Sequence, residues 1–212
     1  MPKIKMPHKS PHIDMTPMVD LFSLLLTFFM LTTTFRPQEP APVDTPFSVS
    51  EKPQPDANIM TLVLAKDNRV FFNIDNGKDT ILHFKPKILE EMGKRYNIQF
   101  TPLELRKFEK GGSSFGVNIN DMKKYLAAQD AKERERYEKG IPHDSLDNQL
   151  GYWVLYTRQV NPAVQALIKG DSDVEYPLVK KVLDILQDYN VNKFSLITNL
   201  EAVKVEVTDE KK

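Results

Sequence analysis

The sequence contains no cysteine, which excludes a disulfide framework, a thiolate metal site and a cysteine nucleophile. It also lacks an excess of charge, since 29 lysines and arginines balance 29 aspartates and glutamates. A nucleic-acid-binding protein needs a concentrated basic face, so this balance argues against one. The few histidines show no metal-ligand spacing; they are His8, His12, His83 and His143. We therefore expect no metal and no cofactor.

One long apolar run stands out in this chain of 212 residues. From Met18 to Leu31 every residue is apolar except Asp20, Ser23 and Thr27. With its flanks the run reaches about 20 residues, which just spans a hydrocarbon core of roughly 30 Å. Thr16 is predicted as the N-cap and Pro17 as the first helical residue. The run predicts a transmembrane helix over residues 16–36.

Two other interpretations of the run compete with a transmembrane helix. A secretory signal peptide also begins with lysines and an apolar stretch, but its cleavage site carries small residues, whereas this run ends in Thr-Thr-Thr-Phe-Arg-Pro. A buried helix of a soluble core is the second alternative. The neighbouring proline-rich stretch, and the distance in sequence to the other strong elements, weigh against it.

The charges on either side of the run predict its orientation. Residues 1–15 carry three lysines against one aspartate, whereas residues 36–58 carry two basic and four acidic residues. The positive side of a membrane span stays in the cytoplasm. We expect a cytoplasmic tail over 1–15 and export of everything after Arg36. In a bacterium this orientation gives a single-pass inner-membrane protein with a periplasmic C-terminal domain.

Asp20 lies on a narrow polar stripe of the predicted helix. Counted at 100° per residue from Asp20, the hydroxyl-bearing residues fall between about −20° and −60°; they are Thr16, Ser23, Thr27 and Thr34. We expect such a stripe to face other helices or a water-filled seam. The cost of a charged Asp in a membrane, roughly 3 kcal/mol, is comparable with the about 2.3 kcal/mol released by one charge crossing 100 mV. A proton gradient can therefore load and unload this carboxyl group.

A purely structural interpretation of the stripe stays open. Asp20 is one turn from the helix start and could complement the helix dipole, although Val19 occupies the capping-box position. Ser23 and Thr27 could simply donate to carbonyl groups of their own helix. We favour a functional role for Asp20 and leave both interpretations open for the hydroxyl groups.

The residues around this helix entrance resemble those of the ExbD/TolR family, small single-pass proteins of ion-driven complexes in bacterial cell envelopes. The family motif I-N-x-T-P-L-I-D-V stands here as I-D-M-T-P-M-V-D-L, from Ile13 to Leu21. The resemblance implies that Asp20 is the proton carrier and that the neighbouring hydroxyl groups line the proton path. Asp14 stands where the family usually has Asn. This second acid either serves proton exit or lies in headgroup water, and we favour the latter.

The resemblance also implies partners. A second copy of the helix would pair with the first inside a ring of a multi-span ExbB/TolQ/MotA-like protein, and the periplasmic domain would couple to a TonB-like or TolA-like transducer. The sequence does not separate TonB-type import from Tol-type envelope maintenance or a gliding-type motor. A membrane-anchored cell-wall-binding module is a rival hypothesis. We expect no enzyme, because residues 58–205 show no nucleophile and base, paired carboxylates or metal cluster.

The sequence of the exported part predicts an α+β domain over 58–207. A proline-rich linker over 37–57 joins this domain to the membrane span. The linker has little to bury, although Phe47 to Ser50 could pair as a strand. Residues 58–75 predict a β-hairpin that turns at Asp67-Asn68 and has on one face Leu62, Leu64, Val70 and Phe72. Residues 163–198 predict a βαβ unit, because apolar residues recur at helical spacing; they are Val179, Val182, Leu183 and Leu186. Lys169, Asp171 and Tyr176 at the first strand–helix junction also resemble the family.

Residues 76–160 form a long insertion, and the resemblance covers it least. Residues 87–100 and 120–139 are predicted as helices, and 150–162, with the only tryptophan, as a helix packed on the sheet. After the βαβ unit, an alternating stretch predicts an edge strand that includes Val203, Val205 and Val207. This edge either binds a partner by β-augmentation or is an ordinary edge protected by Lys204 and Glu206. Residues 208–212 are a charged tail.

Overall fold

The structure is a computed structural model that describes residues 14–32, 41, 43–48, 57–75, 83–111, 114–128, 130–144 and 147–200. The chain divides into two compact units, residues 1–37 and residues 38–212, and each is described by itself. The first contains one helix, α1, from Thr16 to Thr32. The second is a mixed α+β unit, as the sequence predicts.

Helix α1 begins one residue earlier than predicted. Thr16 is its first residue and not its N-cap. The carboxylate of Asp14 accepts hydrogen bonds from the Thr16 backbone N–H (3.0 Å) and from the Thr16 hydroxyl (2.5 Å). Asp14 therefore satisfies one of the backbone N–H groups that have no partner inside a helix. The helix has 17 residues, and the described part of the chain contains no helix that is both long and apolar enough to cross a membrane.

The second unit is built on a four-stranded sheet. The strands described in this unit are, in chain order, β1 (Phe47–Ser48), β2 (Ile59–Leu64), β3 (Val70–Asp75), β4 (Gln165–Gly170), β5 (Phe194–Ile197) and β6 (Asn199–Leu200). Strands β2 to β5 form the four-stranded sheet. The sheet has the order β3-β2-β4-β5, with β3 antiparallel to β2 and the other neighbours parallel. The hairpin and the βαβ unit of the prediction are confirmed.

Six α-helices lie among the described residues of the second unit: α2 (Phe84–Arg95), α3 (Pro102–Lys110), α4 (Met122–Ala127), α5 (Ala131–Glu135), α6 (Gln149–Val160) and α7 (Tyr176–Asp188). Two predicted helices were too long. The helix over 87–100 ends at Arg95, because Asn97 has a φ of 55° and the N–H of Ile98 donates to the carbonyl of Gly93 (2.8 Å). The helix over 120–139 divides into α4 and α5, because Ala128 is extended with a ψ of 131°.

The main core lies between one face of the sheet and the helices. The hairpin residues predicted to share a face are fully buried and pair as Leu62 with Phe72 and Leu64 with Val70. Trp153 of α6 is also fully buried, and its ring centroid lies 6.3 Å from that of Phe72. The predicted stripe of α7 faces the same core, most deeply through Val182 and Leu186.

The insertion belongs to this core and also covers the outer side of β3. The backbone of Phe115 exchanges two hydrogen bonds with Phe72, at 2.8 and 2.9 Å, and the N–H of Ile141 donates to the carbonyl of Val70 (2.8 Å). Helices α2, α3, α4 and α6 contribute buried side chains to the main cluster. The long middle segment is therefore part of the domain's fold.

Part of the linker packs on the opposite face of the sheet. Ala41 is 4% exposed and clusters with Val63, Ala65 and Phe71. Strand β1 then pairs in parallel with β6. The prediction of a strand at Phe47 is confirmed, but the expectation that the linker buries little is wrong for Ala41, Val43 and Thr45. The physical reason is that the second face of the sheet also carries apolar side chains that need cover.

Candidate functional site

The apolar side chains of helix α1 are exposed within the described residues. Its large apolar side chains are between 48% exposed, at Met18, and 87% exposed, at Leu31. No residue of α1 is buried within the described chain. Apolar surface of this extent requires a cover of lipid or protein.

The predicted polar stripe lies on one side of α1. Thr16, Asp20, Ser23 and Thr27 are all helical residues, and their spacing places them within about 60° of Asp20. The side chain of Asp20 is exposed, as are its helical neighbours. The structure thus brings four of the predicted site residues together on one face. Thr34, the fifth predicted member of the stripe, lies outside the described residues.

The hydroxyl group of Thr27 donates to the carbonyl of Leu24 in the preceding turn (2.9 Å). Thr32, which sequence analysis did not select, makes the same kind of bond to Phe28 (2.9 Å). These bonds satisfy the donor of each threonine, whereas the oxygen lone pairs can still accept a hydrogen bond from water. For Thr27 the structural role that the sequence left open is therefore present.

Asp14 is tied to the helix entrance. Its two hydrogen bonds from Thr16 hold the pKa of the Asp14 carboxyl below its usual value. A carboxyl group of this kind stays ionised at neutral pH and keeps both bonds. Because those bonds also fix the Thr16 hydroxyl, Asp14 positions the first hydroxyl group of the stripe. The sequence signal for this role was the acid two residues before Thr16, which the N-cap assignment overlooked.

A second group of residues lies where β4 ends in the α+β unit. The backbone N–H of Asp44 donates to Asp171 Oδ2 (3.2 Å), and the N–H of Ser172 donates to the Asp44 carbonyl (2.9 Å). The N–H of Asp173 donates to Asp171 Oδ1 (3.0 Å). These N–H groups, that of Asp173 foremost, lower the pKa of Asp171. An ionised Asp171 thus attaches the linker to the carboxyl end of β4.

The remaining predicted partner-binding residues are Val203, Val205 and Val207, and they lie outside the described residues. The nearest described strand is β6, which ends at Leu200 and pairs with β1. The edge-strand prediction therefore stays a prediction.

The family model of the biopolymer transport protein ExbD/TolR matches residues 7–201. This match covers nearly the whole chain, including the insertion, in which the sequence resemblance was weakest. The chain belongs to the ExbD/TolR family. Comparisons with curated proteins and with solved structures gave no significant match. Membership of the ExbD/TolR family supports a role as an energy-transducing subunit in biopolymer transport, and it favours a non-enzymatic protein.

Proposed function

We propose that this ExbD/TolR chain is the single-span subunit of a proton-driven complex in the bacterial inner membrane, and that it energises a TonB-like transducer for transport across the outer membrane. One observation carries the proposal. A single carboxyl group, Asp20, lies on the hydroxyl-bearing side of a helix whose other faces are apolar and exposed within the described residues. A helix that serves only as an anchor has no need of this stripe.

The proposed membrane span is residues 16–36, with residues 1–15 in the cytoplasm and the α+β unit in the periplasm. The 17 described helical residues supply most of the about 20 that a span requires. The lysines of the first 15 residues and the acids after Arg36 support the orientation.

Asp20 acts as the proton carrier in this proposal. It takes up a proton from the periplasmic side, loses its charge, moves within a ring of an ExbB/TolQ/MotA-like partner and releases the proton inward. A charge that crosses 100 mV supplies about 2.3 kcal/mol, which is enough to offset most of the cost of exposing the carboxylate to the membrane interior. Thr16, Ser23, Thr27 and Thr34 line the path, and a second copy of the chain supplies a second carrier.

Asp14 is proposed as a fixed charge at the cytoplasmic mouth. Its hydrogen bonds to Thr16 stabilise the ionised form, which makes it a poor proton relay and a good anchor for the helix entrance. This agrees with the interpretation that Asp14 lies in headgroup water.

A TolR-like subunit for envelope maintenance is the second candidate function, because the family description names ExbD and TolR together. The same proton-carrier chemistry would then act on a TolA-like partner. A gliding-type motor would use Asp20 in the same way. The three systems differ in what the α+β unit contacts and not in the proton step.

Proton-gradient-dependent substrate uptake in cells that carry Asp20→Asn tests the proposal. We expect uptake to be abolished while membrane insertion and co-purification with the ring partner are unchanged, because Asn keeps the shape but cannot carry a proton. Asp14→Asn is the matched control; it also removes one carboxyl group, but its amide oxygen can still accept both bonds from Thr16, so we expect it to retain uptake. Normal uptake with Asp20→Asn would overturn the proposal.

A further inference from the structure

The insertion encloses a small cavity between α3, α4 and α5. We call it the insertion pocket; it has a volume of about 30 Å³ and is lined by, among others, Lys107, Phe108, Phe115, Tyr125, Leu126 and Arg134. A cavity of this volume holds about two water molecules, or a carboxylate together with the first carbon atoms of its stem. The insertion pocket is therefore suited to a small functional group and is too small for a whole cofactor.

Two cationic side chains are fixed beside the insertion pocket. Lys107 Nζ donates to the carbonyl of Leu126 (3.1 Å), and Nε and Nη2 of Arg134 both donate to the carbonyl of Ala128 (3.3 Å). These carbonyls lie at the C-terminal end of α4, so the three bonds hold both cations on one helix end. A carbonyl oxygen is neutral and leaves each positive charge in place. An ammonium group has three N–H donors and a guanidinium has five, so both side chains can donate further bonds.

The lining residues that the structure describes do not include an acid that could neutralise this pair. Glu138 is close by, but the hydroxyl of Tyr125 donates to its Oε1 (3.0 Å). Glu138 attracts Arg134, but a single carboxylate cannot balance the charge of both cations. The electrostatic character of the insertion pocket is therefore positive.

The insertion pocket is also lined by apolar side chains. Phe108, Phe115 and Leu126 are 6%, 7% and 5% exposed. Apolar walls with a few fixed polar groups are typical of small-ligand sites. Cationic donors beside an apolar wall match a carboxylate that is attached to a short apolar stem, because charge-assisted bonds hold the head while the stem leaves water.

We propose that the insertion pocket binds a carboxylate on a short apolar stem, either a glutamate side chain of a partner protein or a free short-chain acid. Lys107 and Arg134 bind the carboxylate, and Phe108, Phe115 and Leu126 contact the stem. This site is separate from α1 and does not depend on the proton-carrier role of Asp20. It assigns a ligand-binding role to the insertion.

The chain contains its own reporter for this site. Its single tryptophan, Trp153, has its ring centroid 4.9 Å from that of Phe115 and 6.1 Å from that of Phe108. A ligand that contacts these phenylalanines changes the surroundings of the indole. Tryptophan fluorescence of the full-length chain in detergent micelles therefore reports occupancy.

The experiment is a fluorescence titration with butyrate, compared with butyramide. We expect a saturable response to butyrate with a Kd on the order of millimolar, and none to uncharged butyramide. Lys107→Gln and Arg134→Gln should each weaken butyrate about tenfold or more, because each removes a charge-assisted bond. Lys110→Gln is the matched control; it removes an exposed charge from the same helix outside the insertion pocket and should leave the Kd unchanged.

Two further measurements keep the result decisive. Lys107 and Arg134 also bind the end of α4, so the thermal unfolding of each variant is measured to verify its fold. Ser114→Phe serves as a blocking variant, because its side chain fills the insertion pocket and leaves both cations in place.

An N-acetylated, amidated Ala-Glu-Ala peptide is titrated in parallel. Tighter binding of the peptide identifies a partner side chain as the natural ligand, and tighter binding of butyrate identifies a free acid. Equal Kd values for Lys107→Gln, Arg134→Gln and Lys110→Gln, or no saturable response to butyrate or the peptide, would overturn the proposal.

Discussion

Thr157 of α6 is fully buried, and its hydroxyl oxygen has no hydrogen-bond partner in the described structure. A buried polar atom without a partner costs about 1–3 kcal/mol. Valine has nearly the same shape as threonine and no hydroxyl group. We expect Thr157→Val to raise the free energy of unfolding by about 1 kcal/mol, measured by urea denaturation followed through Trp153 fluorescence.

Thr101 provides the control for this substitution. Its hydroxyl oxygen accepts a hydrogen bond from the backbone N–H of Glu104 (3.3 Å), and the Glu104 carboxylate accepts one from the backbone N–H of Thr101 (2.7 Å). The pair therefore forms a capping box at α3. Thr101→Val should lower the free energy of unfolding by about 1 kcal/mol. If Thr157→Val were as destabilising as Thr101→Val, the hydroxyl of Thr157 would have to be satisfied in solution.

Glu138 makes the stability of the α+β unit depend on pH. Burial raises the pKa of Glu138 above its ordinary value of 4.5, and the Tyr125 hydroxyl opposes this only in part. The folded state therefore binds more protons than the unfolded state around and above this ordinary value, and the free energy of unfolding falls as the pH rises through the folded pKa. In Glu138→Gln the amide oxygen still accepts from Tyr125 but carries no charge. We expect the stability of the variant relative to the parent to increase from acidic to neutral pH.

Urea denaturation of both proteins at a series of pH values from about 4 to about 7 measures this difference, since that range begins near the ordinary pKa of glutamate. Parallel stability curves would show that Glu138 titrates alike in the folded and unfolded states. Glu133→Gln, at an exposed position of α5, is the matched control and should leave the curve unchanged.

At the scale of elements, the insertion fits against the hairpin through Gly116. A Cβ atom at this position would lie 2.3 Å from Cδ1 and 2.6 Å from Cε1 of Phe71, which is fully buried and cannot move aside. Overpacking of this kind typically costs about 1–3 kcal/mol. We expect Gly116→Ala to lower the free energy of unfolding by this amount, measured by urea denaturation.

Gly170, at the end of β4, is the control for Gly116. A Cβ atom there would meet nothing within 4 Å. Gly170→Ala should be neutral, or slightly stabilising because alanine restricts the unfolded chain. Equal effects of the two substitutions would mean that Phe71 and Gly116 are not in contact in solution.

The elements that the sequence predicted are those with a regular apolar pattern. Alternation located β2 and β3, and the 3.6-residue period located α7 and its buried face at Val182 and Leu186. Helical periodicity also placed Asp20 and the hydroxyl groups on one side of α1. Periodicity identifies which face a residue occupies, and these predictions required nothing more.

Contacts between segments that are distant in sequence could not be predicted in the same way. The bridge of Phe115 to Phe72 is a single-residue pairing, so it leaves no periodic signal. The packing of Ala41 depends on apolar side chains of β2 and β3, and no pattern in the linker reveals it. The sequence predicted the N-cap of α1 one residue too late, because threonine is a good cap residue. In the structure the carboxylate of Asp14, two residues before Thr16, accepts the hydrogen bond from the first helical N–H.

At the scale of the whole molecule, the two compact units differ in what stabilises them. Both apolar clusters of the α+β unit consist of residues after Gln38. Helix α1 contributes no buried residue to either cluster. The described residues leave the apolar surface of α1 without a cover, whereas the α+β unit already contains its own core.

A fragment of residues 38–212 should consequently fold by itself. We expect its urea midpoint, followed by Trp153 fluorescence, to equal that of the same transition in the full-length chain, because no apolar contact of either cluster is lost. The same fragment should fail to restore proton-gradient-dependent uptake in cells that lack the chain, since it has no Asp20. A lower midpoint would show that residues 1–37 stabilise the α+β unit. Restored uptake would separate transport from the proton-carrier helix and assign it to the α+β unit alone.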